Sequence, residues 1–294
     1  METLFLGPHG IRVGWRIGFF VALFLLFVLL LQIACAALRI PLIPQGGLTP
    51  LFLFTQESVA AAACIAATLV MCRVEGRRFG EFGMPARGMF GLRFWQGVVW
   101  GLATMSLLML LIRFFGGYSF GELALHGATL ARYGAEWGAL FFLVGVYEES
   151  FFRGYLQFTL ASSARFWPAA LTTSAVFGAV HLRNPGEGTV GALSVFVTGM
   201  FLCFTLRRTG DLWFAIGWHA AYDFSETYLY SVPNSGIVLP GHLLAASFHG
   251  PAWLTGGTVG PEGSAFDFVV MAVVFAAFGA LYKGWPATEE ATRE

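Results

Sequence analysis

Residues 145–156 read Gly-Val-Tyr-Glu-Glu-Ser-Phe-Phe-Arg-Gly-Tyr-Leu, inside a run from Trp137 to Leu160 that is otherwise apolar. An ionisable side chain near the centre of a membrane helix costs roughly 2.5–3.5 kcal/mol on insertion scales. Glu148, Glu149 and Arg153 put three of them within six residues. On a helix, Glu149 and Arg153 stand at i and i+4 and can form one charge pair on one face. Glu148 is turned about 100° away, toward the face of Phe152 and Tyr155. The arginine can therefore neutralise one glutamate and leave the other free for chemistry.

The rest of the chain fits a membrane setting. A soluble domain carries about 25% charged residues, whereas this chain has 12%, with 57% hydrophobic residues and a mean hydropathy of +0.70. It reads as an all-α, polytopic membrane protein. The net charge of zero gives no argument for a nucleic-acid partner or for a polybasic lipid-binding surface. Cys35, Cys64, Cys72 and Cys203 lie in or at the ends of apolar runs without CxxC spacing, and read as unpaired thiols.

Apolar windows long enough to cross a bilayer occur at roughly 16–38, 51–72, 94–115, 136–160, 167–182, 190–206, 212–230 and 266–283. About eight membrane helices are expected in one bundle enclosing an intramembrane polar site. The first run is too long for a signal-peptide core and is read as a retained span. The chain forms a single integral membrane domain, residues 1–294. It is divided into three opening helices (16–115), a motif-bearing core (136–230), an outward loop (231–265) and a last helix (266–283). No internal repeat, low-complexity tract or second domain is visible.

Arginine placement orients the bundle. Arg12, Arg16, Arg73, Arg77, Arg78, Arg87, Arg93, Arg165, Arg207, Arg208, Lys283 and Arg293 are 12 of the 17 basic residues, and alternation of the spans puts them all on one side. Arg39, Arg113, Arg132 and Arg183 fall on the other. Both termini are therefore expected in the cytoplasm. The loop 73–93 is read as lying along the cytoplasmic headgroups. Segment 226–265 has no Lys or Arg, and its His242 and His249 read as surface residues.

Further polar positions lie within the later helices. Phe177 and His181 are i, i+4, as are His219 and Asp223, so each pair shares a face. At about 1.5 Å per residue, Glu148, His181, His219 and Asp223 lie at depths of about 18, 21, 10 and 17 Å. Polar groups in lipid must pair with one another or with trapped water, which favours their convergence near one plane. Read singly, His181 is equally a helix–helix hydrogen-bonding residue, and Glu149 with Arg153 is a structural ion pair. Gln56 and Glu57 are read as solvated at the outward interface.

Glu148-Glu149-x-x-x-Arg153, Phe177-x-x-x-His181 and His219-x-x-x-Asp223, in that order on successive helices, resemble the CPBP family. These are the CAAX-processing and bacteriocin-processing (Abi) proteases, which include the type II CAAX prenyl endopeptidases. The resemblance covers about a quarter of the chain. It implies an eight-helix intramembrane endopeptidase whose site opens toward the cytoplasm. Glu148 and His181 would activate water. His219 and the residue four on would stabilise the oxyanion, with Glu149, Arg153 and Phe177 in support. The prenyl endopeptidases usually carry Asn at that last position. Asp223 stands there in this chain, and an ionised Asp cannot donate to an oxyanion, so it is expected to orient His219.

Three readings follow. In a glutamate-type peptidase no cofactor is needed. In a zinc peptidase the ligands would be Glu148, His181, His219 and Asp223, although no HExxH helix is present. In the third, the chain is a non-catalytic immunity factor, scaffold or transporter. The first is favoured, acting on a membrane-associated protein or peptide with or without lipid modification. A multi-pass protein of a bacterial inner membrane is the expected setting.

Overall fold

A computed structural model describes residues 5–8, 10–43 and 48–283. Its long helices are α1 (Val13–Ala37), α2 (Pro50–Glu75), α3 (Leu92–Phe114), α4 (Gly127–Glu148), α5 (Gln157–Ala164), α6 (Phe166–His181), α7 (Thr189–Thr209) and α8 (Trp213–Phe224). A short α9 (Ala252–Thr255) precedes the last helix, α10 (Ala265–Leu281). A helix stands at every position where the apolar windows predict one. Four of them, α1, α2, α3 and α7, are long and apolar enough to cross a membrane, and α10 is a shorter apolar helix. The expected count of eight spans is thus supported for these alone. The 16-residue α6 and 12-residue α8 are too short for that criterion. The α4–α5 rod is interrupted by its own charged residues.

That rod passes through a π-helical segment, Glu149–Leu156, with non-helical backbone at Gly154. A second π segment, Ser225–Leu229, extends α8. Wide i→i+5 turns inside helices are uncommon and gather at functional sites. Here both adjoin the polar motifs. The rod also begins nine residues before the expected Glu136. Its first turns are amphipathic, with Arg132 Nε donating to Glu136 Oε1 at 2.7 Å.

Two ends of the bundle are distinguished by what closes them. At one end, Phe79–Phe82 forms a 3₁₀ turn, and fully buried Phe82 packs on Tyr155 and Phe158. Gly83 O accepts from Leu212 N, and Arg93 pairs with Asp211. The loop 73–93, expected along the headgroups, is therefore inserted in part into the bundle as a plug. Burying Phe82 and Met84 removes apolar surface that a headgroup position would leave wet. Arg16 joins the same end through its ion pair with Glu75. At the opposite end a two-residue ladder pairs β3 (Tyr118–Ser119) with β4 (Ser247–Phe248). A similar hairpin, β1 (Leu6–Gly7) with β2 (Gly10–Ile11), precedes α1.

The main core lies where α3 runs along α8 and α10 covers them, with Met105, Leu108, Phe201, Trp218 and Phe278 fully buried. Glycines set how closely α3 and α8 approach. A Cβ at Gly97 would meet Trp218 N at 2.9 Å, and one at Gly217 would meet Val98 N at 3.1 Å. Gly217→Val should force the helices apart and lower stability by about 1–3 kcal/mol, as other overpacking substitutions do. A thermal melt in detergent checks this, and an unchanged Tm would show that the seam can yield.

Candidate active site

The polar motifs converge on one ring. His219 Nδ1 donates to Glu149 Oε1 at 2.9 Å. Its Nε2 faces Glu148 Oε2 at 3.6 Å and Asp223 Oδ2 at 3.5 Å. Two consecutive glutamates can reach one imidazole because its nitrogens lie on different edges. The expectation that Arg153 pairs with Glu149 and leaves Glu148 on another face agrees with this arrangement, in which the two glutamates approach different nitrogens of one ring. The role of orienting His219, expected of Asp223, falls on Glu149 at Nδ1, while Asp223 approaches the other nitrogen.

Glu149 is also the partner of Arg153, whose Nη1 donates to the same oxygen at 3.1 Å, both side chains being 0% exposed. The Arg153 guanidinium lies 4.1 Å over the ring of Phe177. Phe177 in turn contacts the rings of His181, at 4.6 Å between centroids, and His219, at 6.3 Å. The phenylalanine thus lies between the Arg153 guanidinium and the His181 ring and packs against both imidazoles from one side. His181, the last residue of α6, bonds through Nδ1 to the carbonyl of Phe177 at 2.8 Å. A carbonyl only accepts, so Nδ1 carries the proton and a neutral ring keeps its lone pair on Nε2.

Glu148, Phe177, His181, His219 and Asp223 all line a cavity of about 270 Å³. Glu148 keeps 19% of its side chain exposed, whereas His219 and Asp223 keep 9% and 11%. Glu149 and Arg153 lie behind this wall. The structure thereby brings together every motif residue: four polar groups face one volume, and three residues stand in support.

Sequence reasoning missed several others. Glu57, expected at a wet interface, lines the same cavity, with its Oε2 buried and without a hydrogen-bond partner. Counting along one helix gives a depth but does not reveal a cavity beside it. Asn184, Asn234, Ser235 and Glu262 come from connecting segments that read as surface. They are tied over the cavity by Asn184 Nδ2 donating to Ser235 O at 3.0 Å and Ser235 Oγ donating to Glu262 Oε2 at 2.8 Å. Burial pushes the Glu262 carboxyl up to about 8. Neither His242 nor His249 lines the cavity.

A carboxylate, an imidazole acceptor and an imidazole donor around one small volume suit hydrolysis of a carbonyl compound. Residues 131–225 match the family model described as type II CAAX prenyl endopeptidase Rce1-like. Comparison with curated proteins gives no match. The matched stretch begins just inside α4 and ends at the second π segment, so it contains all three motifs.

Proposed function

We propose, for a chain that belongs through residues 131–225 to the Rce1-like CAAX protease family, that it is a glutamate-type intramembrane endopeptidase. Family membership implies a protease, and the apolar helices make it an integral membrane protein. The finer reading assigns the parts. Glu148 is the general base, and together with the Nε2 lone pair of His181 it holds the attacking water. His219, pinned at Nδ1 by Glu149, donates from Nε2 to the developing oxyanion. Asp223 beside that nitrogen keeps the donor charged as negative charge builds on the substrate. Peptide hydrolysis then needs only a proton relay from water through Glu148 to the leaving amine. The observation that carries this reading is the shared cavity of Glu148, His181, His219 and Asp223.

Its direct test compares protein termini in cells making the wild-type chain or His181→Ala. New N- and C-termini should appear only with the wild type. Identical sets of termini would leave the non-catalytic scaffold as the better reading.

The zinc alternative is separable. Among the described residues, no group of three or more His, Cys, Asp or Glu side chains is spaced to hold a metal ion. Cleavage by purified protein should be unchanged after treatment with a strong chelator. Loss on chelation, restored by added zinc, would favour the metalloprotease.

Orientation follows from charge. Among the described residues the basic side chains are concentrated at the end closed by Phe82, and the positive-inside rule puts that end in the cytoplasm. Arg293 lies outside the described residues. The cavity lies toward the other end. Both termini are accordingly assigned to the cytoplasm.

A further inference from the structure

Resting on the peptidase reading of this cavity, we infer that Asn234 is a further catalytic residue. Its side-chain amide is the second donor, beside His219, to the oxyanion that forms when water attacks the substrate carbonyl.

The chemistry of the lining shows the need and the candidate. An oxyanion is stabilised by fixed donors gathered where its charge develops. His219 Nε2 is one. Asp223 lies against that nitrogen at 3.5 Å, and an ionised carboxylate only accepts. Several other donors in the wall are committed elsewhere. Trp218 Nε1 donates to Thr104 Oγ1, Tyr222 OH to Asp267 Oδ1 and Ser235 Oγ to Glu262 Oε2. Asn234 lines the same cavity, and its Nδ2 is buried with no hydrogen-bond partner. Buried donors are nearly always paired in a folded protein, and an exception at a reactive cavity points to a bond that the substrate completes. The amide stands beside the Asp223 carboxylate without closing a hydrogen bond to it. Asp223 is therefore flanked by the donor nitrogens of His219 and Asn234, and a carbonyl oxygen entering there meets both.

The backbone that carries Asn234 is held as a positioned donor requires. Asn234 N donates to Ile237 O at 3.0 Å, and Ile237 N donates to Asn234 O at 2.8 Å. These bonds close a two-residue turn with φ of +42° at Ser235 and +77° at Gly236, the sign pattern of a type I′ turn. A serine in the left-handed region is strained, and such strain persists where the surroundings over-determine it, often beside a reactive site. The surroundings do so here. Ser235 O accepts from Asn184 Nδ2 at 3.0 Å, Ser235 Oγ donates to Glu262 at 2.8 Å, and Gly236 N donates to Val259 O at 2.7 Å. On the remaining side a Cβ at Gly186 would lie 2.3 Å from Gly236 O, so the two glycine backbones are in direct contact. A donor mounted on this turn is fixed before the substrate arrives and needs no reorganisation during the reaction.

The test uses purified full-length enzyme in detergent and a peptide spanning a cleavage site found by the termini comparison. Asn234→Ala should lower kcat about 10²-fold, as loss of one oxyanion donor does, while KM moves less than about threefold and Tm stays at the wild-type value. Asn234→Leu keeps the bulk of the side chain without its N–H groups and should behave in the same way. A kcat within about threefold of wild type, or a loss that appears in KM or Tm instead, overturns the inference. The same peptide with its scissile amide replaced by a phosphinate mimics the tetrahedral intermediate, and Asn234→Leu should bind it about 10²-fold more weakly. Unchanged phosphinate affinity also overturns the inference. Binding needs no turnover, so the comparison is repeated in an Asp223→Ala background. The weakening should persist there by at least tenfold; its disappearance would mean that Asn234 acts only through Asp223, which overturns the donor role. Glu148→Gln is measured alongside. If it cleaves like the wild type, the peptidase reading fails and takes this inference with it; if it is inactive while both Asn234 variants keep wild-type kcat, the inference alone fails.

Discussion

Glu148→Gln should lower peptide cleavage by about 10³-fold or more, while protein yield and Tm stay at wild-type values. A positioned general base contributes about 10²–10⁴-fold, and in the proposed mechanism the same carboxylate also holds the attacking water. Gln preserves shape and removes only the ability to take a proton. The fold has little reason to respond. Glu148 keeps 19% of its side chain open to the cavity, and its approach to His219 Nε2, 3.6 Å, is too long for a hydrogen bond. Glu149→Gln is the instructive comparison. It weakens an acceptor that holds His219 at 2.9 Å and Arg153 at 3.1 Å, both through Oε1. Its loss of activity should come with a lower Tm. A Glu148→Gln enzyme that still turns over would remove the base from the mechanism, and attention would pass to Asp223 or Glu57.

The site was legible to the extent that membrane energetics made it so. Glu148, Arg153, His181, His219 and Asp223 stand out because lipid penalises each of them, and the i, i+4 spacing correctly paired Glu149 with Arg153 and His219 with Asp223. Helix positions were legible for the same reason: apolar length marks a span. What stayed hidden depended on three-dimensional packing. No residue pattern announces the π segment at Glu149–Leu156, which carries Glu149 and Arg153 behind Phe177. The hydrogen bond from His219 to Glu149 joins residues 70 apart in sequence. Glu57 looked interfacial because a depth count treats a helix as if lipid surrounded it, whereas one side of α2 faces the cavity. Ser235 and Glu262 have the polarity of loop residues, and only the folded structure shows that they share a hydrogen bond and line the cavity. The plug at Phe82 was concealed by the arginines on either side of it.

The second large effect is expected on stability. Arg153→Met should destabilise the protein by about 3–5 kcal/mol, the usual consequence of removing one partner from a buried ion pair. Three contacts make the guanidinium hard to replace. It donates to Glu149, lies 4.1 Å over Phe177, and occupies space that exists because residue 199 is Gly: a Cβ there would come within 2.6 Å of Nη2. Met fills much of the volume but leaves Glu149 buried with only His219 to answer its charge. The double variant Glu149→Gln/Arg153→Met removes the orphaned charge and should recover most of the lost stability, since apolar replacements of whole buried pairs are often neutral or better. Activity should not return with it, because a neutral amide holds the Nδ1 proton of His219 less firmly than a carboxylate does. Denaturation in detergent and peptide cleavage, measured on the same three proteins, separate the two roles. If the double variant is no more stable than Arg153→Met, the ion pair is not what the fold depends on here. If it regains activity, Glu149 does not position the histidine, and the pair serves packing alone.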